Sequence, residues 1–283
     1  MTEPFAETAL RRPHELLAPY VSGYTGYRLT GFAPGEHKGL PSRHLTFIVQ
    51  FDAPLQLVMD PDGCAEVQHL EALLSGFHTR PAVIRHDGTQ HGVQLHLTPA
   101  GARALFGFPA GEVAAEAVPL DAAWGATGRE LVDRLAAAST WPERFAVLDS
   151  VLLRAAAGRA EVPSAARPET TEAWRQLVAA DGRVDVRSLA DHVGWSRRHL
   201  TDQFTAEFGF GPKEMARVLR FERSKHLFTR PDHPTLATIA AECGYADQAH
   251  MAREWRGFAG ASPTQWLAAE QLPVEHADSL DRA

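Results

Sequence analysis

The sequence predicts an α+β chain in two parts. An N-terminal β-rich domain, barrel- or sandwich-like and with helices of its own, precedes an all-α domain of two repeated helix pairs joined by a linker helix. Three observations predict it. Strand-like runs broken by Gly and Pro fill the front of the chain, apolar residues then recur at helical spacing, and a segment of about 50 residues is repeated in the last third.

In chain order, Leu45 to Phe51, Leu55 to Met59 and Val93 to Leu97 have strand composition, and the last alternates apolar with polar as a half-buried antiparallel strand does. Thr127 to Ala138 and Pro142 to Ala157 place Leu131, Leu135, Phe145, Leu148 and Leu152 at helical spacing. From Arg159 to Thr171, Pro163, Ser164, Pro168 and Thr170 interrupt two helix-like stretches, which predicts a boundary. The expected organisation is a first domain over 1–160, a linker over 161–171, a helical domain over 172–270 and a flexible tail over 271–283.

At 283 residues the chain exceeds one typical compact domain, and its apolar content suits a protein that buries a core. No basic segment followed by an apolar run opens it, and no stretch of about 18 apolar residues occurs, so it reads as soluble, unexported and cytoplasmic, with no membrane partner. Its two cysteines, Cys64 and Cys243, stand far apart, which excludes a disulfide framework and a Cys-rich zinc site. Net charge is −7: residues 1–169 hold 14 Lys+Arg against 19 Asp+Glu, and residues 170–283 hold 14 against 16. Neither half is a basic block, so any nucleic-acid contact has to come from local placement of arginines on one face.

The repeat runs from Ser188 to Pro212 and again from Thr238 to Pro263. Leu189, Ala190 and Gly194 match Ile239, Ala240 and Gly244 at a shift of 50, while Leu200, Phe204, Gly209 and Pro212 match Met251, Trp255, Gly260 and Pro263 at 51. One residue is inserted in the turn. Gly194 and Gly244 stand where the first helix of each pair must stop, because glycine enters the left-handed conformation without steric cost. Ser196 and Asp247 follow as N-caps, and the core residues four and eight further on form one stripe of the second helix. Small Ala190 and Ala240 let the paired helices approach. This is the layout of a helix-turn-helix, whose second helix enters the major groove of DNA.

On Gly194-Trp-Ser-Arg-Arg-His-Leu200, Arg220, the stretch Ile239 to His250 and Gly260-Ala-Ser-Pro263, residues 172–268 resemble the DNA-binding domain of the AraC/XylS family of transcription regulators. Met251 and Trp255 depart from the phenylalanines usual there, and Ser224 from a small alanine. The resemblance implies two recognition helices in adjacent major-groove segments of promoter or operator DNA, joined by a helix over about Lys213 to Phe228. It also implies an N-terminal domain that binds a small-molecule effector and dimerises, with RNA polymerase as a further partner. The segment Leu97 to Gly107 and the stretch from Val118 to Trp124 are similar to segments of less-studied members.

The helical wheel assigns the candidate DNA contacts. Opposite Leu200 and Phe204 lie Arg197, Arg198, Thr201, Asp202 and Thr205; opposite Met251 and Trp255 lie Gln248, Ala249, Ala252, Arg253 and Arg256. Arginine bonds guanine bidentately, glutamine suits adenine, and alanine or the threonine methyl meets the thymine methyl. Arg198 and Arg253 are the foremost candidates. Asp202, four residues after Arg198, either orients that guanidinium or accepts from a cytosine amino group. Arg217, Arg220 and Arg223 either reach phosphates or form ion pairs within the domain.

Nothing in the sequence calls for a catalytic residue, a cofactor or a metal. His37, His44, His78, His86, His91 and His96 are numerous, yet His91 and His96, five apart, point to opposite faces of a straight strand. A cupin-like metal-dependent enzyme with a helical appendage is the alternative reading. Cys64 lies in a turn-like Pro61-Asp-Gly-Cys64 without a basic neighbour, and Cys243 belongs to the helical core.

Overall fold

The computed structural model describes residues 3–59, 66–159 and 166–269. Cys64, residues 161–165 of the expected linker and the expected tail after 270 lie outside the described residues.

The front half is a two-sheet antiparallel sandwich. Its larger sheet runs β1-β2-β9-β4-β7-β10, from β1 (Phe5–Arg11), β2 (Val21–Thr30), β4 (Leu45–Gln50), β7 (Ala72–Ser75), β9 (Gln90–Leu97) and β10 (Ala117–Pro119). The smaller sheet runs β3-β8-β5-β6, from β3 (Gly35–Gly39), β5 (Leu55–Val58), β6 (Gln68–Leu70) and β8 (Ala82–His86). The three expected strands are β4, β5 and β9; β3, β6, β7, β8 and β10 have only three to five residues each, and the ten-residue β2, buried on both faces, has no clean alternation.

A single turn, α1 (Pro99–Gly101), is capped by Thr98 and runs into a wider turn over Ala102–Phe106, so Leu97 to Gly107 is a strand end and two turns. Helices α2 (Leu120–Ala137) and α3 (Trp141–Arg159) then cross the outer face of the larger sheet. This explains why β2 and β4 are buried on both faces. Phe47 meets Trp124 edge-on at 6.4 Å, Tyr24 stacks on Phe145 at 5.8 Å, and the Trp141 ring occupies the space a side chain at Gly26 would need. The inner face supplies a second cluster with Ile48, Leu57, Leu73 and Ile84.

The back half comprises α4 (Pro168–Ala179), α5 (Val186–His192), α6 (Arg197–Phe208), α7 (Pro212–Phe228), α8 (Leu236–Glu242), α9 (Gln248–Ala259) and α10 (Pro263–Ala269). Helix α4 begins inside the stretch read from sequence as linker. Pro168, taken there as a breaker, stands at the first helical position, where its missing N–H costs nothing. Trp174 of α4 then packs against Phe208 at 4.7 Å and across to Phe77 of the front half at 5.5 Å.

The second repeat packs on α7 through a pair of residues that depart together from the AraC/XylS pattern. Trp255, fully buried, meets Phe221 at 4.9 Å, and its indole N–H donates to Ser224 Oγ at 2.9 Å. Ser224 Oγ donates in turn to the Phe221 carbonyl at 2.7 Å. The larger indole brings a polar N–H into the core, and the serine satisfies it. We expect Ser224→Ala to destabilise the protein by about 1–3 kcal/mol, because it strands that N–H, and Trp255→Phe with Ser224→Ala to recover much of the loss. Urea denaturation of the two single variants and the double variant measures the coupling; additive losses would contradict it.

Candidate nucleic-acid interface

Each helix pair is built by the same local physics. Gly194 (φ 74°) and Gly244 (φ 76°) take the left-handed conformation after α5 and α8. Trp195 N then donates to Ala190 O, and Tyr245 N to Ala240 O, both at 2.9 Å, which closes the helix ends. Asp185 and Thr235 cap the first helices, while Ser196 accepts from His199 N and Asp247 from His250 N at the starts of α6 and α9. Gly209 and Gly260, also left-handed, end α6 and α9. Leu200, Phe204, Met251 and Trp255 are all buried, as the stripe required.

The opposite faces are open. Arg197, Arg198, Thr201, Asp202 and Thr205 are exposed on α6, as are Gln248, Ala249, Arg253 and Arg256 on α9; Ala252 is half-buried. Among the described residues Arg197, Arg253 and Arg256 have no ion-pair partner. Arg198 and Asp202 approach to 3.9 Å with side chains 94% and 64% exposed. That carboxylate stands beside the Arg198 guanidinium, and in water so loose a pair is worth at most about 1 kcal/mol.

The arginines of α7 resolve differently. Arg217 binds Glu254 through both Nε and a terminal nitrogen at 2.9 Å and reaches Glu214 at 2.7 Å. Arg220 donates to the Gly182 carbonyl at 3.0 Å and lies over the Tyr245 ring, and Arg223 stands 3.9 Å from Asp181. Of the two roles open from sequence, all three serve bonds within the domain, because a helix holding two others faces inward on most sides. Cys243 is fully buried, and burial pushes its thiol up to about 11, which suits a core residue and not a reactive one.

Of the front-half histidines, His44 and His96 meet edge-on at 5.6 Å, and His37, His78 and His96 border one space between the sheets. Ser22 Oγ lies 2.9 Å from His44 Nε2, and Gln94 Nε2 lies 2.8 Å from His96 Nε2. His91 sits between Asp52 and the Arg144 guanidinium, 3.0 Å from each; burial lowers its pKa against the pull of Asp52. His91 and His96 do face opposite sides of β9, toward α3 and the sandwich interior respectively. Among the described residues no three His, Cys, Asp or Glu side chains are placed to hold a metal ion, and no helix is long and apolar enough to cross a membrane.

Four polar ties joining the halves were invisible in the sequence. Arg103 grips Glu207 of α6 bidentately at 2.7 and 2.6 Å. Arg43 binds Glu222 of α7 at 2.6 Å and lies 3.8 Å from Asp181, and Lys38 Nζ donates to the last carbonyl of α9, Ala259 O, at 2.9 Å. Gly111, in the turn Ala110–Val113, sits so close to α6 that a β-carbon there would lie 2.9 Å from Ala206 O. The partners are 104 to 221 residues apart, so no local pattern signals them.

Residues 189–269 match the protein-family model described as a helix-turn-helix domain. An uncharacterized HTH-type transcriptional regulator of Staphylococcus aureus strain MSSA476 is 31% identical over 96 residues, 34% of this chain but 13% of that protein. The arabinose operon regulatory protein of Salmonella typhimurium is 29% identical over 89 residues, 31% of each chain. This chain thus spans a minor part of the curated relatives it matches. Over almost its whole length it superposes on ToxT from Vibrio cholerae, covering 93% of this chain and 98% of that one with a TM-score of 0.52. At 11% identity that likeness shows a shared two-domain fold and no more.

Replacing either cap, Ser196→Ala or Asp247→Ala, is expected to cost about 1 kcal/mol of stability by freeing amide N–H groups, measurable by thermal unfolding. A neutral result at both would mean that packing alone holds these helices. The glycine stops, side-chain caps and buried stripes occur twice in register within the matched region, and the chain carries a helix-turn-helix domain over its C-terminal third.

Proposed function

We propose that this chain is a cytoplasmic, sequence-specific DNA-binding transcription regulator, with α6 and α9 reading adjacent major-groove segments of a promoter and the N-terminal domain conferring small-molecule control. Its DNA-binding unit starts at Pro168, its effector and dimerisation unit occupies 1–160, and RNA polymerase and a second copy of the chain are further partners of such a regulator. One observation carries the reading. The recognition faces keep arginines exposed and, for Arg197, Arg253 and Arg256, without an ion pair among the described residues, while the arginines of α7 are used up inside the domain. An exposed guanidinium beside hydroxyls, an amide and small apolar groups is the chemistry of base-edge readout.

Spacing supports it too. Helix α7 has 17 residues and is therefore roughly 25 Å long, a stiff spacer on the scale of one turn of B-DNA, about 34 Å. The overall acidic charge is no obstacle, because counterion release depends on the cations that meet phosphates and not on the whole protein.

Arg253→Ala is expected to weaken binding to the selected site by about 1–3 kcal/mol and to relax preference at one base pair, read by fluorescence anisotropy on single-base variants. An equal loss on every sequence would reassign Arg253 to a phosphate. Affinity of the intact chain is expected to fall steeply between 50 and 200 mM salt, on the order of 10³-fold for six phosphate contacts. Salt-insensitive or absent binding to genomic fragments would overturn the regulator reading.

A further inference from the structure

Of the spaces bordered by the described residues, two also border helices of the back half and are candidates for the small ligand that the regulator reading requires; their sizes differ about tenfold. The first lies between the two sheets, lined by His37, Ile48, Leu57, His96 and, from α7, Lys225, and measures about 70 Å³. Sites that enclose a small organic ligand run to about 300–1,000 Å³, so the sheets would have to part before one entered. The second is an interdomain cleft of about 780 Å³, bounded by the segment after β9 and the end of α3 on one side and by α4 and α6 on the other.

The cleft has the walls and the charge of a binding site. Half-buried Tyr20, Trp174 and Val178 supply apolar surface, and Phe208 packs behind the Trp174 ring at 4.7 Å and holds it in place. Arg159 borders it, half-buried. Its Nε donates to the Leu105 carbonyl at 3.2 Å, and no carboxylate of the described residues pairs with its charge. Arg175, a third cation on the rim, is already held by Glu172 at 2.7 Å. A half-buried guanidinium without a counter-charge among the described residues, next to an aromatic wall, favours an anion over a neutral ligand of the same shape. Within the same cleft lie Arg103 and Glu207, the pair that ties the front half to the first recognition helix.

The geometry points to this cleft, and not the interior of the sandwich, as the effector site, taking a small organic anion whose flat apolar body lies against Tyr20, Trp174 and Val178 and whose acid group meets Arg159. This inference rests on the regulator reading. The ligand acts there on the Arg103–Glu207 tie, so its binding and the setting of α6 are linked. The coupling needs no relay through the sheet, because one cleft holds both the ligand and the tie.

Calorimetry with the full chain tests it, using 1-naphthoate and its neutral analogue 1-naphthamide as probes. The expected result is saturable binding of one equivalent of naphthoate, at least tenfold tighter than naphthamide. Arg159→Gln is expected to erase that preference while leaving naphthamide binding in place. Ala100→Trp, introduced from an exposed position on the cleft, is expected to block both probes, whereas Thr46→Val in the sandwich interior leaves both unchanged. Saturating naphthoate is expected to shift affinity for a selected DNA duplex by about fivefold or more in the wild type and not in Arg159→Gln. Absence of saturable binding, equal affinity for the two probes, loss of binding in Thr46→Val instead of Ala100→Trp, or an unmoved DNA affinity would each overturn the cleft assignment. DNA binding by the probe-free wild type separates the two ideas: if it persists while naphthoate fails, the cleft is wrong and the regulator stands, and if it is absent the regulator reading itself falls.

Discussion

The second helix of each pair, α6 or α9, has to bury one stripe and leave the opposite one in water, and the rest of the C-terminal third depends on that division. Two different partners receive the stripes. Helix α4 backs the first unit, with Trp174 against Phe204 and Phe208 at 6.2 and 4.7 Å. Helix α7 backs the second, with Phe221 against Trp255 and Phe258 at 4.9 and 5.1 Å. Because aromatic burial of this kind is worth several kcal/mol per ring, the helices cannot roll to hide their arginines without losing more than exposure costs. The wet faces are thus held in place from behind.

The same backs are where the front half takes hold. Arg103 and the turn at Gly111 meet α6, Arg43 meets α7, and Lys38 meets the C-terminal end of α9, where a cation also suits the helix dipole. Glu207 and Glu222 are 7% and 4% exposed, so each pair is largely removed from water, and breaking one leaves a buried carboxylate without its partner. Such contacts act as discrete ties: they are made or lost, and a change in their geometry is felt at α6, α7 and α9.

Much of the site was legible in the sequence because its determinants are local. A glycine at a required positive φ, a cap one or two residues later and a stripe at four and eight are all set within a dozen residues, and Gly194, Ser196 and Leu200 are found in those roles, as are Gly244, Asp247 and Met251. The front half was less legible. Strands such as β1, with an exposed and half-buried pattern, and β6, of three residues, exist because neighbours pair with them. Pro168 misled because proline breaks a helix interior but suits a helix start, and only the packing of Trp174 shows which applies.

By itself the sequence determined the duplicated capped helix pairs, the side of each helix that stays wet and the order of a β-rich domain before an all-α one, since these follow from backbone preference and hydrophobic period over short range. The tertiary structure alone decided that Arg217, Arg220 and Arg223 are spent inside the domain, that Trp255 and Ser224 compensate each other, and that a roomy cleft lies between the halves. Those outcomes depend on which distant side chains meet, with 104 residues between Arg103 and Glu207 and 31 between Ser224 and Trp255. No spacing rule reaches that far, because chain closure over such lengths is set by the whole core and not by the residues it happens to bring together.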